Sequence, residues 1–147
     1  MKYSDKLTAV DDTITAHQEI AMRKGAVWLG KMGRTLARNH VRTLNEQCKH
    51  NVPTYVFLVQ KRGHAYEVYQ GNVIEVSRVS PDDRQLIPRY YEQRGILQYM
   101  RLWQKLTGIK KVDAGALKRL YVASTGSSAA ETLPRSIAAL FLVHQRS

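Results

Sequence analysis

The sequence predicts an α+β domain, a compact barrel of five or six strands with short helices between them. Three observations lead there. Two stretches near the start carry apolar residues at helical spacing. From Tyr55 the period shortens to that of strands, interrupted by turn residues. A chain of 147 residues with 44% hydrophobic content is the size at which one domain buries a sizeable core.

The first helix is expected from about Asp5 to Lys24, with Leu7, Val10, Ile14 and Ala21 as a thin apolar stripe. It reads as a leader, residues 1–25, packed on a domain of residues 26–147. Ala26 to Leu29 is a short buried strand opening into a Gly30–Gly33 loop. A second helix follows from about Ala37 to His50, burying Ala37, Val41, Leu44 and Cys48 and exposing Arg38, Arg42 and Lys49. Tyr55 to Val59 and Tyr66 to Tyr69 are strands joined by the turn Lys61-Arg62-Gly63-His64, and Val73 to Val79 continues the sheet. Pro81-Asp82-Asp83 ends it, and Leu86 to Tyr91, holding Pro88, is a loop or a short helical turn. Tyr99 to Ile109 reads as a strand around Trp103, with a helix through Leu97 to Leu106 as the other reading. Asp113 is a good N-cap for a short helix, Ala114 to Leu120, that caps a barrel end. Tyr121-Val122, the small-residue loop Ala123 to Ala129 and the apolar Ile137 to Val143 complete the domain.

Charge narrows the partner. Between residues 21 and 62 nine Lys or Arg face the single acid Glu46, so this window holds +8 of the net +11. Residues 99–147 add +6, while residues 1–20 and 63–98 are slightly acidic. Two basic segments brought together by the fold make the positive face that binds nucleic acid. The lone Cys48 excludes an intramolecular disulfide and a cysteine-based zinc site. No apolar run approaches the roughly 18 residues that span a bilayer, and the start (Lys2, Asp5, Lys6) lacks a signal-peptide core. A cytoplasmic protein without membrane contact, metal or cofactor is the expectation.

The order of the pieces resembles a known family. Trp28-Leu29-Gly30-Lys31 looks like the Trp-Leu-x-Lys that opens EVE domains, a branch of the PUA-like superfamily related to the YTH readers of methylated adenine. The run from Gly71 through Val76 to Pro81-Asp82 is similar to the glycine-led strand of that family that ends in Pro-Asp. Trp103, Leu117 and Leu120 resemble its later strand and helix. The resemblance spans roughly residues 26–143. It departs from the family where Met32-Gly33-Arg34 replaces Ser-Glu-Pro, in the missing C-terminal Arg-Leu-Ser-Val, and in the added helix and leader. It implies a PUA-like mixed β-barrel with short capping helices and an N-terminal helix.

It also implies a base pocket at the barrel mouth, where a flipped base is held between aromatic rings. Extruding a base costs a few kcal/mol and stacking returns on the order of 1–3 kcal/mol, so phosphate contacts supply the remainder. The candidate pocket residues are Trp28, Trp103, Tyr55, Ser124 and Ser127. Each tryptophan has a second reading as a core residue, and the serine loop as an ordinary turn. One of Tyr66, Tyr69, Tyr90, Tyr91 and Tyr99 is a further cage candidate. Lys31, Arg34, Arg38, Arg42, Lys61, Arg62 and Arg101 are the candidate backbone contacts, with Gly30 and Gly33 admitting the ligand close to the main chain. DNA carrying a modified base is preferred over RNA, by analogy with specificity modules of modification-dependent restriction systems, whose effector nuclease or motor lies on another chain or domain.

Two other classes compete. A small nuclease would draw on His40, His64, Asp82, Asp83, Glu67 or Glu75. However, Glu67-Val-Tyr69 and Glu75-Val-Ser77 lack the lysine that completes a restriction-type metal site, leaving a metal-independent ribonuclease as the runner-up. A protein-interaction adaptor would use the first helix and Ile137 to Val143.

Overall fold

In the computed structural model, which describes residues 1–3, 12–134 and 142–145, six strands form two antiparallel sheets. In chain order the larger elements are α1 (Thr13–Lys24), β1 (Val27–Met32), α2 (Arg38–Lys49), β2 (Tyr55–Arg62), β3 (Ala65–Ser77), α3 (Tyr90–Gln93), β4 (Met100–Val112), β5 (Leu120–Val122), α4 (Ala129–Thr132) and β6 (Val143–Gln145). The main sheet has the order β1-β4-β3-β2, and β5 pairs with β6. Lys2 adds a parallel bridge to Val59.

The main sheet curls into a half-barrel. β3 is one strand of 13 residues, where the sequence suggested two, because its breaks are register shifts at Gln70/Asn72 and Val73/Glu75 rather than turns. Such bulges bend a strand and deepen its twist. The β2–β3 hairpin is joined by two residues, with Gly63 at φ 62°.

Helix α1 begins at Thr13, with the Asp12 carboxylate accepting the Thr15 N–H at 2.7 Å, and ends at Gly25 (φ 89°). Its expected first turns, with Leu7 and Val10, lie outside the described residues, as does most of Ile137 to Val143. Ile14, His17 and Ile20 are buried, and α1 packs on β1 and β4. Helix α2 lies on β3. No residue of it is fully buried: Val41, Leu44 and Cys48 are half-buried, and Ala37 stands exposed at the N-terminal boundary. Polar bonds fix it instead. The Asn45 amide donates to the Val76 carbonyl and accepts the Val76 N–H, both at 2.8 Å, and the Cys48 thiol donates to the Val73 carbonyl.

Pairing of Trp28 with Lys105, Gly30 with Trp103 and Val27 with Leu106 divides the sheet into two faces. Val27, Leu29, Leu102 and Leu106 join Ile14 and Ile20 in the main core. Trp28 and Trp103 face the other way, under Ile87, Tyr91 and Ile96. A third cluster, including Val59, Val68, Leu117, Leu120 and Leu133, ties the smaller sheet to β2 and β3. Asp113 caps a 3-10 helix, Ala114–Arg119, as expected for an N-cap, accepting the Gly115 N–H at 2.7 Å.

Candidate nucleic-acid interface

Gly30 and Lys31 belong to β1 rather than to a loop, and the chain turns only at Gly33 (φ 80°). The reason for glycine at 30 is a close approach by protein. A Cβ there would meet Met100 Cγ and Sδ at 2.8 Å and Tyr91 Cε2 at 3.0 Å. The Tyr91 ring lies against this gap and stacks on Trp103, with centroids 5.7 Å apart and planes at 27°. Its hydroxyl accepts the Gly30 N–H at 3.0 Å and lies 2.8 Å from His17 Nε2.

The His17 ring has one consistent proton arrangement. Nδ1 is 2.6 Å from the Thr13 carbonyl, which only accepts, so Nδ1 carries the proton and Nε2 accepts from the Tyr91 hydroxyl. Complete burial drives the His17 pKa down to about 4 against a weaker opposing contribution from the Thr13 bond, so the ring is neutral near pH 7. Burial likewise pushes the Tyr91 phenol well above its ordinary value. One polar chain thus connects Thr13, His17, Tyr91 and Gly30, tying α1 and the segment before β4 to the edge strand.

Trp28 and Trp103 do come together, but with 2% and 0% of their surface exposed neither ring face is open to a ligand. Alternation turns both toward the Tyr91 segment, which covers them. Their indole N–H groups are buried with no hydrogen-bond partner among the described residues, and the Lys105 ammonium sits 5.6 Å over the Trp28 ring. Tyr55 does not join them. It lies on β2, at the opposite edge from β1, roughly 14 Å away across three inter-strand spacings. Ser124 and Ser127 are exposed in the segment between β5 and α4.

Two openings lie at one end of the main sheet, where Gly30, Trp103 and Ser77 stand in one row across β1, β4 and β3. The first is a cavity of about 310 Å³ whose wall includes Gly30, Lys31, Tyr90, Tyr91 and Met100. Lys31 donates to the Met32 carbonyl at 3.1 Å, and partial burial lowers its pKa. The second is an open groove of about 540 Å³ between α2 and the end of β3, walled by Arg38, Val41, Val76, Ser77, Arg78 and Val79. Val79 is 73% exposed. Arg42 follows Arg38 by one helical turn on the exposed face, and no side chain caps the N-terminus of α2. Arg34, Lys61 and Arg101 are also exposed, while Arg62 is engaged with Glu67 at 3.1 Å on the hairpin.

The structure brings Arg38 and Arg42 to this end together with Arg78, a residue that sequence reasoning passed over although it sits inside the glycine-to-Pro-Asp run. Tyr91 was one of several undistinguished tyrosines. His17 went unnoticed, its only signal being a polar residue in register with Ile14 and Ile20. No three His, Cys, Asp or Glu side chains form a metal-holding set among the described residues.

The family model for Pua-like domains matches residues 1–132, nearly the whole described chain, from α1 through α4. The chain belongs to the Pua-like family. The curled antiparallel sheet with a few helices is consistent with that fold. Pua-like domains generally bind nucleic acids, which agrees with the cationic groove. No curated protein and no solved structure matches this Pua-like chain.

Proposed function

We propose that this Pua-like domain binds nucleic acid across the end of the main sheet, with phosphates held along the groove between α2 and β3. The observation that carries the reading is the meeting of Arg38 and Arg78 on the two walls of that groove, beside the exposed Val79. Arg42 extends the cationic row, and the uncapped amides of α2 add positive potential. In the finer reading, the domain is an EVE-like reader of a modified base in DNA, acting as a binding module rather than an enzyme. The base, flipped from the duplex, enters the cavity beside Tyr90 and Lys31, whose volume suits a small ligand. Any nuclease or motor then resides on another chain or domain, as in the specificity part of a modification-dependent restriction system.

The test is a binding series with unmodified, methyladenine, methylcytosine and hydroxymethylcytosine DNA duplexes and matched RNAs, each at two salt concentrations. Affinity is expected to fall steeply with salt, and Arg38→Ala and Arg78→Ala each to reduce the log–log slope by about one phosphate contact. Equal affinity for every oligonucleotide would sink the modified-base reading but not nucleic-acid binding. Unchanged slopes in both variants would remove the groove.

A further inference from the structure

The face of the main sheet that carries Trp28 and Trp103 is covered at its two ends and open between them. At one end Ile87, Tyr91 and Ile96 pack over the tryptophans. At the other, Leu117, Leu120 and Leu133 pack over Val59 and Val68. Between these covers the strand registers set two rows of side chains across β2, β3 and β4: Tyr55, Asn72 and Thr107 in one, Phe57, Gln70 and Lys110 in the next. Each row is an aromatic ring, a carboxamide, and then a hydroxyl or an ammonium group.

The band is accessible where its chemistry lies. Tyr55 is 41% exposed, Asn72 and Lys110 are exposed, and the other three are half-buried. The Tyr55 and Phe57 rings meet at 61°, so they are not stacked on each other. Among the described residues, no hydrogen bond engages the side chains of Gln70, Asn72 or Thr107. Gly108, at φ 57°, leaves room for the Asn72 amide, since a Cβ there would stand 2.9 Å from Asn72 Nδ2.

An open ring beside unengaged amides offers what an unpaired base requires: a flat surface to stack on, and donors and acceptors for its edge. A base within a duplex already has its faces stacked and its pairing edge occupied, so such a surface selects single strands. Phosphate attraction adds little in this band. Lys105 and Lys110 lie on it, and the exposed Glu75, paired across the strands with Lys105, offsets one of them.

We propose that this band is a platform for single-stranded nucleic acid, with a base stacked on Tyr55 within reach of the Asn72 amide. The inference rests on the reading of the domain as a nucleic-acid binder, but uses a different surface from the arginine groove.

The experiment titrates the full chain with end-labelled oligothymidine and oligouridine and with a duplex of matched length, each at two salt concentrations. Tyr55→Ala is expected to weaken single-strand binding by about fivefold to a hundredfold, the loss of one stacked base, with the log–log salt slope and the duplex affinity unchanged. Asn72→Ala loses about fivefold on single strands, as one net hydrogen bond provides. Tyr55→Phe keeps the ring and retains binding, and melting temperatures show that each variant is folded. No single-strand binding by the native chain overturns the proposal, as does unchanged affinity in Tyr55→Ala or Asn72→Ala, or an equal loss on single strands and duplex. Arg38→Ala and Arg78→Ala test the groove separately: unchanged duplex slopes in those variants would remove the groove and leave a Tyr55-dependent single-strand affinity standing.

Discussion

The buried His17 makes the stability of this domain depend on pH in a calculable way. Its folded pKa of about 4 lies below the ordinary 6.5 because burial penalises the imidazolium. The unfolded chain therefore takes up the proton first as pH falls. Stability is complete above about pH 6.5 and drains away as the pH drops toward 4. A shift of this size corresponds to about 3 kcal/mol in total, and the linkage relation assigns about 2 kcal/mol of it to the interval between pH 7 and pH 5. That is a large share of the 5–15 kcal/mol that stabilises a typical domain. The perturbation is His17→Gln, which does not titrate and retains an acceptor for the Tyr91 hydroxyl. Urea unfolding followed by circular dichroism at pH 7, 6 and 5 gives both stabilities, and subtracting the variant from the native chain cancels other titrating groups. The difference is expected to shrink by about 2 kcal/mol from pH 7 to pH 5. Parallel curves, or a native chain that gains relative to the variant on acidification, would refute the neutral, buried assignment.

Other consequences of the same geometry are equally direct. Tyr91→Phe keeps the ring on Trp103 but strips the Gly30 N–H and His17 Nε2 of their partner, costing about 1–3 kcal/mol by denaturant unfolding. Gly30→Ala forces Met100 and Tyr91 to move and is expected to destabilise by about 1–3 kcal/mol, with a lowered melting temperature. Asn45→Ala removes both bonds to Val76, at about 1–3 kcal/mol, and weakens oligonucleotide binding more than its stability loss explains, because one wall of the arginine groove loosens. Arg62→Ala breaks an exposed pair with Glu67 and is expected to shift stability by less than about 1 kcal/mol.

The elements were legible in the sequence where periodicity and punctuation agreed. Helix α2, the β2–β3 hairpin, the strand around Trp103 and the Asp113 cap all follow from residue pattern, because each is decided within a few neighbouring residues. Long-range packing was not legible. Gly30 looked like part of a loop because glycine in a strand is uncommon. Its reason is Tyr91, sixty-one residues away in sequence. The bulges of β3 looked like a break for the same local reason, since only pairing with β4 shows the strand to be continuous.

The tryptophans show where such reading stops. In a basic segment, an indole between Val27 and Leu29 is consistent with a platform or a core residue, and alternation says only that it faces opposite to them. The deciding fact is what covers that face. The segment from Ile87 to Ile96 does so, and it is held there by the His17 and Tyr91 bonds that begin on α1. The cations escape this ambiguity: desolvating an unpaired Arg is prohibitive, so Arg38, Arg42 and Arg78 remain on the surface whichever way the strands turn. Charge points to the proposed interface because its physics is one-sided, whereas aromatic burial is favourable on either side of a sheet and only the covering segment chooses between them.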